Sequence, residues 1–150
     1  MGWFNFYGAA VVAVMLIPNA IYAARCRDGF ENLWQNRAVE WLEQIGRFGC
    51  FALMVINIPH TYGGFWFDGA RMLYMAGNAG LLAAYCLIWG ICFRRAGLFR
   101  AAALSALPSA MFLLSGVCLS SWPLLAAAAV FAPCHILLSV KNALLAAKKN

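Results

Sequence analysis

Charged side chains fall in clusters along this chain, and the uncharged apolar stretches between them are long enough to form helices that cross a bilayer. A hydrocarbon core about 30 Å thick needs about 20 helical residues at about 1.5 Å each. By that measure five segments qualify, at residues 3–24, 45–60, 72–93, 101–119 and 123–140. The second is the least uniform. Residues 48–59 carry no charge but are few, so their helix has to reach back toward Trp41, leaving Arg47 and Glu43 near an interface.

Before that span, Phe30, Leu33, Trp34, Ala38, Trp41, Leu42 and Ile45 recur at three- and four-residue steps, while Glu31, Gln35, Glu40, Glu43 and Gln44 face the other way. This pattern predicts an amphipathic helix over 29–44, capped by Asp28 with Glu31 three residues later, lying along the membrane interface and bending at Gly46 or Gly49 into the second span. Glu31 to Gln44 holds three Glu and one Arg, so anionic lipid is not its attractant. It reads as a structural elbow, or as a gate or cation-docking surface built on Glu40, Glu43 and Arg47. Glu43 and Arg47 are one turn apart and can pair. The expected fold is therefore all-α: one polytopic membrane helix bundle over 1–150, with five transmembrane helices plus one interfacial amphipathic helix between the first two spans.

Composition agrees with this class, at 65% hydrophobic and 11% charged residues. Charge adds direction. Lys and Arg resist translocation, and a five-span layout puts Arg25, Arg27, Arg37, Arg47, Arg94, Arg95, Arg100, Lys141, Lys148 and Lys149 on one side, with Arg71 alone opposite. The chain is expected in the cell membrane as a multi-pass protein, N-terminus outside and C-terminus cytoplasmic. The net charge of +6 is then an orientation signal, and no nucleic-acid partner is implied. Arg25 and Arg27 follow the first apolar run instead of preceding it, which argues for a retained span over a cleaved signal peptide. Trp3, Phe4, Phe6, Tyr7, Tyr62, Phe65, Trp66, Phe67 and Tyr74 mark the outer boundary as interface anchors.

Polar side chains are costly in lipid and so mark contacts or cavities. On this threading Asn19, Ser105, Ser109 and His135 fall in the cytoplasmic half, with Arg47 at its margin; these five are the candidate ligand-binding residues. Pro18, Pro108 and Pro133 share that level, and each removes the donor for a carbonyl four residues earlier, at Val14, Leu104 or Ala129. Kinks at one depth are expected to open a pocket, with Ala76, Gly80 and Ala101 allowing close helix approach. Asn57, His60 and Asn78 form a second candidate group, lining an outer vestibule.

Catalytic equipment is sparse. All five acids map to loops or interfaces, which removes the usual carriers of ion-coupled transport. No H-E-x-x-H, G-x-S-x-G or phosphate-binding glycine loop occurs. The six cysteines form no C-x-x-C pair and most sit inside spans, so neither a disulfide framework nor a zinc site is expected. His60 and His135 are too far apart for a bis-histidine haem, and no cofactor, metal or catalytic residue is assigned. In size and span count the chain resembles the tryptophan-rich sensory or translocator proteins, but without their tryptophan and proline signature in the first span. The Asn36, Arg37 and Glu40 neighbourhood resembles the basic, amide-rich motif of membrane glutathione-using enzymes, which have four spans. Neither resemblance transfers a residue.

The function these features favour is binding or transport of a small amphipathic molecule or lipid in the cytoplasmic half of the bundle. A non-catalytic subunit or scaffold of a membrane complex is the alternative, and a membrane enzyme using Arg47, His135 or Cys134 on a lipid or thiol is a further one. Expected partners are membrane lipid, the small ligand and a second copy, because five short spans enclose little interior and a dimer supplies more.

Overall fold

The computed structural model describes residues 2–26, 32–95 and 97–149, and among these all regular structure is helical. Five helices follow one another: α1 (Phe6–Arg25), α2 (Arg37–Val55), α3 (Ala70–Cys92), α4 (Leu98–Cys118) and α5 (Trp122–Lys149). Four of them, α1, α3, α4 and α5, are long and apolar enough to cross a membrane. The fourth and fifth predicted spans start and end within a few residues of α4 and the apolar part of α5, but α5 runs nine residues past residue 140.

Local chemistry explains the helix starts. The Asn5 side chain accepts the Gly8 amide at 3.0 Å and caps α1. Asn36 caps α2 by accepting from the Val39 amide at 3.3 Å, while Glu40 accepts from the Asn36 amide at 3.2 Å. This reciprocal cap does for α2 what Asp28 and Glu31 were expected to do eight residues earlier. Asp28 and Glu31 lie outside the described residues, and residues 32–36 are not helical. Gly69, at φ 83°, starts α3, and Ser120, at φ 49°, makes the tight α4–α5 turn.

Helices consecutive in the chain run in opposite directions, so α1 and α3, which pack side by side, run parallel, with Asn5 meeting Tyr74 near one end and Tyr22 meeting Trp89 near the other. At one end, Asn5 N–H bonds the Val55 carbonyl at 2.7 Å, Asn57 N–H bonds Trp3 at 2.8 Å, and Gly63 N–H bonds Ser120 at 3.2 Å, tying the first residues and the α2–α3 loop over the bundle. The other end carries Arg25, Arg37, Arg94, Arg95, Arg100 and the lysines of α5 and is called the basic end below. Helices α1, α4 and α5 continue through Pro18, Pro108 and Pro133.

The largest departure from expectation is α2. It is one unbroken helix with no bend at Gly46 or Gly49, and both glycines instead let it press against α5. A Cβ on Gly46 would stand 2.9 Å from the Phe131 backbone, and one on Gly49 3.3 Å from the Ala127 side chain. The buried face of α2 is Glu43, Gly46, Cys50 and Met54, whereas Trp41, Ile45 and Phe48 are each more than 60% exposed. The sequence pattern lays Glu43 on a polar face turned away from the membrane interface; in the structure that carboxylate faces α5, while Trp41, Leu42 and Ile45 are exposed. An amphipathic helix in water buries its apolar face, but one surrounded by lipid gains by turning its polar groups inward.

The same inversion holds around the bundle. Met72, Leu87 and Ile91 are exposed, while Asn78, Ser105, Ser109 and Ser115 are buried. A water-soluble domain does not present so continuous an apolar exterior. Between the polar groups the core is closed by Met15, Met54, Met111, Phe112, Leu124 and Phe131. Of the aromatics expected as interface anchors, Trp3 and Trp66 are exposed at the rim, but Tyr74 is buried, accepting from Asn5 Nδ2 at 2.8 Å with its ring edge-on to Tyr7.

Candidate functional site

Pressing α2 against α5 brings Glu43 opposite His135. The Glu43 side chain is only 3% exposed, and its Oε1 receives three N–H groups: Arg47 Nε at 3.0 Å, Arg47 Nη2, and His135 Nδ1 at 2.8 Å. His135 also stacks on Phe131, with ring centroids 4.6 Å apart. Arg47 and His135 remain 35% and 20% exposed, so the carboxylate is sealed in while its two partners reach the bundle surface. The expected Glu43–Arg47 pairing is present. Glu43, expected near an interface, is buried between α2 and α5, six residues from the start of α2.

On the adjoining helices, Asn19 Nδ2 donates to the Tyr85 hydroxyl at 2.7 Å and to the Met15 carbonyl at 3.0 Å. Of the five predicted inner residues, Arg47 and His135 thus meet on Glu43 between α2 and α5, while Asn19 pairs separately with Tyr85 between α1 and α3. Ser105 and Ser109 are apart from it. Ser105 donates to the Ala101 and Ala102 carbonyls, and Ser109 donates to the Ser105 carbonyl, each within α4, so that no buried hydroxyl there is left unmet.

The polar layer is packed. The concavity at this depth lies on the surface beside it: a groove of about 310 Å³ between α1 and α3, lined by Val14, Ile17, Pro18, Ile21, Cys86, Trp89, Gly90 and Phe93. Pro18 is therefore at a pocket, though at one that opens sideways. Ala76 and Gly80 do not draw helices together around it, being exposed on α3.

The three outer residues do not converge. Asn57 donates to the Gly2 carbonyl at 3.0 Å, His60 is exposed in a turn at φ 66°, and Asn78 is buried between α3 and α4, donating to Ser115 Oγ at 3.0 Å. Asn57 and Asn78 spend their amides on holding elements together.

Tyr85 and Asn142 are not singled out by the sequence, and Glu43, read there as Arg47's partner in an elbow or gate, is not expected to meet His135. Asn142 accepts the Trp34 amide at 2.8 Å and donates to Asn32 at 3.0 Å, fastening residues 32–36 to the end of α5. The signal for Glu43 was available in the row Glu43, Gly46, Cys50, in which small residues one turn apart continue from the carboxylate. Nothing marked Tyr85 or Asn142, whose partners are 66 and 108 residues away.

Fold and cluster together define a membrane-type helix bundle with one carboxylate held by a guanidinium and an imidazole in its interior. Comparison with family models, with curated proteins and with solved structures finds no match.

Proposed function

We propose that this is a five-span cell-membrane protein, N-terminus outside and C-terminus cytoplasmic, that binds or carries a small amphipathic molecule in the cytoplasmic half of its bundle. In this reading α2 is the second span along its whole length, and the interfacial segment shrinks to residues 32–36. Labelling of single cysteines from each side is expected to find residue 2 outside and residue 148 inside; both on one side would discard the arrangement.

The observation that carries the function is the sealed Glu43 carboxylate with two partly exposed partners. A charge kept in an apolar interior costs stability, so a protein that retains one is using it for placement or recognition. A ligand headgroup reaches the cluster through Arg47 and His135, exchanging hydrogen bonds with them, while Asn19 and Tyr85 provide neutral donors and acceptors one helix away. Serines 105 and 109 support α4 in this scheme and do not touch the ligand.

The test begins with mass spectrometry of small molecules that co-purify with the protein. At 100 times its Kd, such a molecule stabilises the wild type by about 2.7 kcal/mol. The Asn19→Leu/His135→Leu variant is expected to lose that gain. Equal stabilisation of both proteins would remove the site.

A subunit role has one observation of its own, the exposed row Trp41, Ile45 and Phe48 on α2. The mass of the purified complex separates the possibilities: a second copy fits the dimer proposed here, and a constant different chain lost on Trp41→Ala fits the subunit.

A further inference from the structure

We propose that the groove between α1 and α3 holds one acyl chain of an anionic phospholipid from the leaflet at the basic end, with the lipid phosphate among Arg25, Arg94 and Arg95. This site lies on the outer surface of the bundle and does not depend on a ligand at Glu43.

The walls of the groove come from two helical rows. On α1, Ile17 and Ile21 are followed one turn on by Arg25; Cys86 and Gly90 on α3 are followed by Arg94 in the turn that leaves that helix. Both apolar rows therefore run toward the end of the bundle that carries Arg25, Arg94 and Arg95. From Val14 to Ile21 and from Cys86 to Phe93 the slot is about 10 Å long, most of the depth of one leaflet of a bilayer whose apolar core is about 30 Å thick. Its lining is apolar almost throughout, as a hydrocarbon chain requires.

Charge favours an anionic headgroup. Residues 25–36 and 93–100 at this end hold Arg25, Arg27, Arg94, Arg95 and Arg100 against Asp28 and Glu31. Arg25, Arg94 and Arg95 are exposed. Arg100 is committed elsewhere: it donates to the Cys92 and Phe93 carbonyls at 3.4 and 3.3 Å and to the Tyr22 hydroxyl at 3.1 Å, and lies 4.9 Å from the Tyr22 ring centre. There it neutralises the negative end of α3, which would otherwise repel a phosphate.

Gly90 gives a clean test, because it lines the slot and a Cβ built on it meets nothing within 4 Å. Detergent-purified protein is titrated with phosphatidylglycerol or phosphatidylcholine, and retained lipids are counted by native mass spectrometry. Wild-type protein should retain one phosphatidylglycerol at concentrations where phosphatidylcholine is lost. Each of Arg25→Gln and Arg94→Gln should weaken retention about fivefold, the effect of one cation at an anionic surface. Gly90→Leu should abolish retention while leaving the melting temperature of lipid-free protein unchanged. Equal retention of the two lipids, or undiminished retention by Gly90→Leu, would overturn the proposal. Because its readout is lipid count, its failure is distinct from loss of the small ligand at Glu43.

Discussion

Arg47→Leu is expected to destabilise the protein by about 3 kcal/mol, and more than Glu43→Leu does, although both break the same ion pair. The asymmetry follows from burial. Removing Arg47 leaves a carboxylate that is 3% exposed with His135 as its one remaining partner, and no route to water. Removing Glu43 instead leaves a guanidinium that is already 35% exposed and whose long stem can turn toward the headgroups. The Glu43→Leu/Arg47→Leu double variant should be more stable than Arg47→Leu alone, because the uncompensated charge is gone. Thermal or denaturant unfolding in detergent measures all three. If Glu43→Leu proved the more damaging, or if the double variant were merely the sum of the singles, Glu43 would not be the sealed charge at the centre of the cluster.

Gly46→Leu should be at least as severe, and for a different reason. The added Cβ alone would lie 2.9 Å from the N, Cα and Cβ atoms of Phe131, and a backbone cannot rotate away as a side-chain tip can. Helix α2 must then separate from α5, and one turn along, Glu43 loses its 2.8 Å contact with His135. Overpacking typically costs about 1–3 kcal/mol, and loss of the buried hydrogen bond to a charged group adds about 1.5–3 kcal/mol. Folded yield and melting temperature should both fall. Gly80→Ala is the matched control: nothing lies within 4 Å of its Cβ, and the exchange should gain about 0.5–1 kcal/mol from helix propensity. Similar losses in the two variants would mean that α2 and α5 are not in close contact.

These two residues also show what could be read along the chain. Spans without charge announce themselves, so α1, α3, α4 and most of α5 were found close to their observed limits. Helix α2 was split in two because its first half carries Glu40, Glu43 and Gln44 beside Trp41 and Ile45, and an alternating polar and apolar surface looks alike whether its polar side meets water or other helices. The candidate site suffered from the same ambiguity. Depth along the chain grouped Asn19, Arg47, Ser105, Ser109 and His135, of which Arg47 and His135 meet on Glu43, Asn19 pairs with Tyr85, and the serine hydroxyls are satisfied by their own helix. Depth carries no information on azimuth, and azimuth decides which groups at one level meet.

Sequence alone determined the helical class, the membrane character, the antiparallel order and the collection of arginines and lysines at one end, because each depends on the length and charge of a contiguous segment. Only the tertiary structure decided that α2 turns its carboxylate inward, that Gly46 admits Phe131 and that Glu43 faces His135, 92 residues further on. Those facts depend on how far each helix is rotated about its axis, and that rotation is set by the fit of small residues against neighbours distant in the chain.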